Sequence, residues 1–154
     1  MEEFNTIDKC LNLFKSVNCI GNDNKCFIAY KDLSGAGTGL VGGMTNGMEY
    51  PYDAVLVNKT ENGIGMIFLV SDGIVFNFPK LEKLHLKNNE YVFINNENIS
   101  EIIIKKYALL NSSKKKISIK TNDGKTYKLF ANVNETLLPY HNEGFNSFVN
   151  QYNK

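Results

Sequence analysis

Two histidines, His85 and His141, and three cysteines, Cys10, Cys19 and Cys26, are the residues of this sequence best suited to covalent chemistry. A thiol beside an imidazole would make a nucleophile with its base, which requires Cys26 to meet His141 or His85 in the fold. No local motif supports such a dyad. The sequence has no H-E-x-x-H, no paired metal-ligand spacing and no G-x-S-x-G elbow around a serine. The cysteines follow C-x8-C-x6-C, which fits neither a zinc nor a redox pattern, and small buried thiols in a reducing compartment account for them. Asp72 and Asp123 each precede a glycine and read as turn residues. The expectation is a non-enzyme with no catalytic residue, no metal and no cofactor.

Two further stretches are candidates for binding. From Ser34 to Met48 there are six glycines, and Gly37-Thr-Gly39-Leu-Val-Gly42 matches G-x-G-x-x-G after an expected strand. A dinucleotide site also needs a helix of several turns next, and Gly43, Gly47 and Pro51 interrupt the stretch before Val55. A glycine-rich loop over 34–49 is the better reading, with Leu40, Val41, Met44 and Met48 as candidate contacts to a partner, ligand or membrane. The second stretch is basic. Residues 1 to 97 hold 8 Lys against 12 Asp and Glu, whereas residues 98 to 128 hold 8 Lys against Glu101 and Asp123 alone. Lys105, Lys106, Lys114, Lys115 and Lys116 are candidate anion contacts. The chain has no arginine and so lacks bidentate phosphate recognition; nucleic acid is not expected, and an anionic membrane surface is the candidate anionic partner.

These residues sit on elements that the periodicity of the chain predicts. Ile7, Cys10, Leu11, Phe14 and Val17 fall at helical spacing behind Asn5-Thr6, which predicts an amphipathic helix over 6–17 ended by the Asn-rich turn 18–24. Strands are expected at 25–31, 53–58, 64–70, 74–78, 91–94 and 99–107, with Pro79 to Asn89 as a crossing loop. Asn62-Gly63 and Asp72-Gly73 offer the positive φ of tight hairpins. In Lys116–Phe130, Ile117 and Ile119 alternate with Ser118 and Lys120, and Tyr127 and Leu129 with Thr126 and Lys128, around Asp123-Gly124. That is a hairpin with one wet face. Phe145, Phe148, Val149 and Tyr152 share the face of a closing helix over 142–152, which Asn142 is placed to cap. The segments 53–58 and 64–70 are apolar on both faces, so helix, glycine segment or a second copy of the chain must cover them. One domain over 1–154 is expected: helix and turn 1–20, β meander 25–131, closing helix 142–152.

The run Asn98-Ile-Ser-Glu-Ile-Ile-Ile-Lys-Lys106, the hairpin Lys116–Phe130 and the closing helix with Phe145 and Phe148 resemble the pleckstrin-homology-like superfold. The likeness is to the small PH-like and GRAM-like domains of bacterial proteins, and it spans about residues 50 to 152. It implies an α+β chain: a barrel or sandwich of about seven antiparallel strands, a C-terminal capping helix and a short N-terminal helix. It also implies a binding or scaffolding module rather than an enzyme. Many PH domains bind phosphoinositides through basic residues of the first hairpin loop, and Ser34 to Glu49 contains no Lys or Arg. Two other readings are carried forward. One is a ligand-binding or enzymatic domain using the glycine segment with Met44, Met48 and Tyr50; the other is an oligomer-forming structural protein using the two-faced meander. A protein partner or self-association, with cytoplasmic and membrane-peripheral location, completes the expectation, since neither a signal peptide nor a spanning segment is evident.

Overall fold

The computed structural model describes residues 1–33, 52–72 and 79–152. Helix α1 (Ile7–Ser16) starts where the Thr6 hydroxyl accepts from the Lys9 amide at 3.3 Å, and buries Cys10 and Phe14. Among the described residues seven strands follow: β1 (Lys25–Lys31), β2 (Ala54–Lys59), β3 (Gly63–Ser71), β4 (Leu84–Asn95), β5 (Ile99–Ala108), β6 (Asn111–Thr121) and β7 (Thr126–Asn132). Helix α2 (His141–Tyr152) closes the chain. The strands form one antiparallel sheet in the order β4-β3-β2-β1-β7-β6-β5, so the described residues are mainly β with two α-helices and the sheet stays open rather than closing as a barrel.

The sheet is nevertheless strongly coiled. Laid flat, seven strands would separate its two edges by six spacings, about 29 Å. Yet β4 and β5 are those edges, and only the single 3-10 turn Asn96–Asn98 joins them; four Cα steps span at most about 15 Å. Side chains and amides lock this corner. Asn96 donates from its backbone to Asn62 O (3.0 Å) and from its side chain to Glu61 O (2.6 Å). Asn122 likewise donates to Asn98 O (2.9 Å) and to Glu97 O (2.7 Å). The β2–β3 and β6–β7 turns are thus both tied to one linker, and the edges part from there.

Coiling divides the buried side chains between two faces. Ile28, Leu56, Ile67 and Leu69 pack with Cys10 and Phe14 of α1 and with Phe4, Leu81 and Leu84. Phe27, Val55, Val57, Met66 and Phe68 pack on the other face with Ile117, Ile119, Tyr127 and Leu129 from the far half of the sheet and with Phe145 and Phe148 of α2. The cover for both apolar faces of β2 and β3 is therefore intramolecular. Gly144 lets α2 lie against β1, for a Cβ there would stand 1.9 Å from the Cys26 carbonyl oxygen.

Four local expectations change. Residues 84–89 are strand, not loop: Ser71, Val70 and Leu69 pair with Leu84, His85 and Leu86. Their polarity reflects an edge position, and residues 87–90 bulge opposite Phe68 with Lys87 and Glu90 ion-paired at 2.8 Å, an arrangement that blunts an exposed edge. Asn142 lies inside α2 and accepts from the Glu135 amide at 3.0 Å instead of capping the helix. Gly63 has φ 159, ordinary extended backbone; glycine suits it because a Cβ would meet Ile94 O at 2.2 Å. The fourth is the barrel, which is open as described. Gly124 does adopt the left-handed φ (87°) that the Asp123-Gly124 turn calls for. The expected strand 74–78 and the glycine loop 34–49, with Leu40, Val41, Met44 and Met48, lie outside the described residues.

Candidate binding surface

The sheet itself separates the thiol from the imidazole. Successive side chains of a strand point to opposite faces. Cys26 packs on the α1 side, while His141 stacks near Phe27 (6.3 Å between ring centroids) and Phe145 (5.7 Å) on the α2 side. Hydrogen bonding with the Cys10 thiol, then burial, drives the Cys26 pKa far upward, and burial pushes Cys19 up to about 11. Protonated, buried thiols make poor nucleophiles. Cys26 donates weakly to Asn58 Oδ1 (3.5 Å), and the Asn58 amide donates to Cys19 O (3.0 Å) and Asn24 Oδ1 (2.9 Å). This network pins the turn after α1 to β2, so these polar groups are structural.

His141 is equally committed. Its Nδ1 accepts from the Ile28 amide at 3.2 Å, which leaves Nε2 to carry the proton and donate to Asn132 O at 2.7 Å. That is a neutral imidazole. Burial lowers its pKa, against the opposing pull of the Asn132 carbonyl and the Glu135 carboxylate. The unfolded chain titrates near 6.5, so between the lowered folded value and about 6.5 the unfolded state binds a proton that the folded state refuses. This contribution to stability is complete above about pH 6.5 and is lost as pH falls below it. The urea midpoint is expected to fall from pH 7 to pH 5 in the parent and in His85→Asn, and to flatten in His141→Asn. An undiminished slope in His141→Asn would assign the acid loss to other groups.

His85 stands elsewhere, on β4, with Nδ1 3.8 Å from Asp72 Oδ1. The two border a depression of about 470 Å³ also lined by Met1, Glu82, Lys83 and Leu84. Among the described residues, no group of three or more His, Cys, Asp or Glu is arranged to hold a metal ion.

The β5–β6 hairpin brings the five candidate lysines together. Cross-strand register places Lys105 opposite Lys116 and Lys106 opposite Lys115. Opposed residues share a face, so one lysine pair projects to each side of the ribbon. Lys114 and Lys116 lean on aromatic rings: Lys114 Nζ lies 5.7 Å from the Tyr107 centroid and 5.3 Å from that of Phe130, and Lys116 Nζ lies 5.2 Å from that of Tyr107. Lys116 also pairs with Asp32 at 3.6 Å. Lys120 belongs to a different environment, paired across the strands with Glu101 at 2.5 Å.

At the tip of this ribbon are two residues that the motif search passed over. Ala108 pairs with Asn111, leaving Leu109 and Leu110 as the turn, 98% and 101% exposed. Tight turns ordinarily carry Gly, Asn, Asp or Ser, for reasons of backbone geometry and hydrogen bonding. Two leucines between lysine-rich strands, where turn residues belong, was the available signal.

Compared with protein-family models, with curated proteins and with solved structures, this chain matches none.

Proposed function

We propose that this chain is a non-catalytic, cytoplasmic binding module of the pleckstrin-homology-like kind, and that the β5–β6 hairpin is its recognition surface. The observation that carries the reading is the Leu109–Leu110 pair, fully exposed at the end of a lysine-bearing ribbon. Exposed leucine at a turn brings the folded chain no packing, so a role in contact with something else accounts for it. Seven antiparallel strands with a terminal helix packed on them are the features on which the resemblance rests, and they support it further. The most reactive side chains, Cys26 and His141, are occupied in holding β1 to its neighbours.

The test is positional. Leu110→benzoylphenylalanine and Lys125→benzoylphenylalanine, the second in the β6–β7 turn, are compared by photo-crosslinking in cells expressing the full chain. Adducts concentrated at position 110 are expected. Equal yields from the two positions, or none from position 110, would overturn the hairpin as the contact surface.

A further inference from the structure

We propose that the β5–β6 hairpin docks the protein on an anionic lipid bilayer, Leu109 and Leu110 entering the interface while the lysines behind them meet the phosphates. This rests on the reading of the hairpin as the recognition surface and names what it recognises.

Shape is the first argument. The two leucines form the convex end of a two-stranded ribbon, exposed at 98% and 101%. A projecting apolar pair needs a soft apolar medium to enter, and a bilayer supplies one without a preformed pocket. Charge is the second. From Ile102 to Ile119 the hairpin carries five lysines and no Asp or Glu. Like charges opposed across strands disfavour the pairing, and here two such pairs, Lys105 with Lys116 and Lys106 with Lys115, lie one on each face of the ribbon. On one face Asp32 already pairs with Lys116 at 3.6 Å; on the other, the repulsion between Lys106 and Lys115 is relieved by an anionic surface that the ribbon enters end-on.

Depth agrees with both. At about 3.4 Å per residue, Lys106 lies about 10 Å behind Leu109, and a lysine side chain can reach forward along the ribbon. Its ammonium group then sits at headgroup level when the leucines are in the acyl boundary. Lysine rather than arginine suits this role, since laterally mobile headgroups need a point charge and not a fixed bidentate fork. Nucleic acid would engage the lysines and leave the leucines unmatched; Tyr107, which could stack on a base, is instead packed against Phe130 at 5.2 Å. None of the described helices is long and apolar enough to cross a membrane, so the attachment proposed is interfacial.

The test is flotation of the full chain with vesicles of phosphatidylcholine alone or containing about one-third phosphatidylserine, at low and high salt. The parent is expected to bind the anionic vesicles at least tenfold better than the neutral ones and to release as salt rises. Leu109→Ser/Leu110→Ser should lose about tenfold or more. Lys106→Gln/Lys115→Gln, which removes both charges and keeps polar side chains one atom shorter, should lose roughly fivefold for each charge removed. Tyr91→Ser, exposed on the β4 edge, serves as the control and should bind as the parent does. Unchanged thermal melts in the tip variant separate lost binding from lost fold. Equal binding to neutral vesicles, or anionic binding indifferent to both hairpin variants, overturns the proposal. Absence of vesicle binding together with protein adducts from position 110 overturns the lipid and leaves the recognition surface. Absence of both overturns the two together.

Discussion

Gly144→Ala is expected to lower the stability of the chain by about 3 kcal/mol or more, the upper part of the range for overpacking, although it adds a methyl group and deletes no atom of the core. The added methyl would stand 1.9 Å from the carbonyl oxygen of Cys26 and 2.7 Å from its carbon, and both are backbone of a central strand. A flexible side chain could swing aside, but the backbone of β1 at Cys26 is held by its pairing with Asn58 of β2, and β7 anchors the same strand further along, at Tyr30 and Lys31. Helix α2 must therefore lift, withdrawing Phe145 and Phe148 from Phe27. For a chain of this length 3 kcal/mol corresponds to a fall in melting temperature of roughly 6 to 12 °C. Gly124→Ala is the informative comparison. It meets nothing within 4 Å and bears only the left-handed strain at φ 87, about 1 to 2 kcal/mol. Urea denaturation at constant m distinguishes them. A Gly144→Ala chain as stable as the parent would mean that α2 does not rest on β1 at this point.

Phe27→Ala is expected to cost about 3 to 5 kcal/mol, the range for a fully buried phenylalanine. Phe27 is 0% exposed, and its ring lies 5.3 Å from that of Phe145 and 5.0 Å from that of Phe148, so it is where the sheet and α2 interlock. Against a total stability of about 5 to 15 kcal/mol, such a loss leaves a marginal protein. Tyr91→Ala, half-exposed on the sheet edge, should stay within about 0.5 kcal/mol. Because Gly144→Ala already lifts the helix from Phe27, the double variant should lose less than the sum of the two singles. Strict additivity would place the two side chains in independent contacts, and a loss below about 1 kcal/mol for Phe27→Ala would contradict its central position.

Much of the fold was legible because local periodicity records which face of an element is buried. Lys25–Lys31 is strand as its aromatic and β-branched content predicts, and the alternation in Lys116–Phe130 places Ile117, Ile119, Tyr127 and Leu129 in the core as expected. Thr6 caps α1, and Gly124 supplies the turn. The misplaced features share a cause. Leu84–Leu86 belongs to an edge strand, and an edge strand needs only one neighbour and tolerates polar residues, so composition alone reads it as loop. Asn142 carries the side chain of a cap, but the helix begins one residue before it.

The binding surface was half legible. A count of charges locates Lys105, Lys106, Lys114, Lys115 and Lys116 as one basic segment. Register alone shows that four of them oppose one another in pairs, on both faces of a ribbon. Leu109 and Leu110 were passed over because leucine is the commonest of core residues, and nothing within a few positions says whether a given one is covered.

By itself, the sequence determined where most of the described strands, turns and helices lie, the edge segment 84–89 excepted, since these follow from the spacing of apolar residues and the backbone preferences of glycine, asparagine and threonine over a few positions. Tertiary structure alone decided that the sheet coils until its edges meet at Asn96–Asn98, that α1 and α2 cover opposite faces, that Cys26 and His141 are parted by the sheet, and that two leucines stand free above a collar of lysines. Burial and proximity depend on residues distant in the chain: His141 reaches Ile28 across 113 positions, and Leu110 is exposed because no distant element among the described residues covers it.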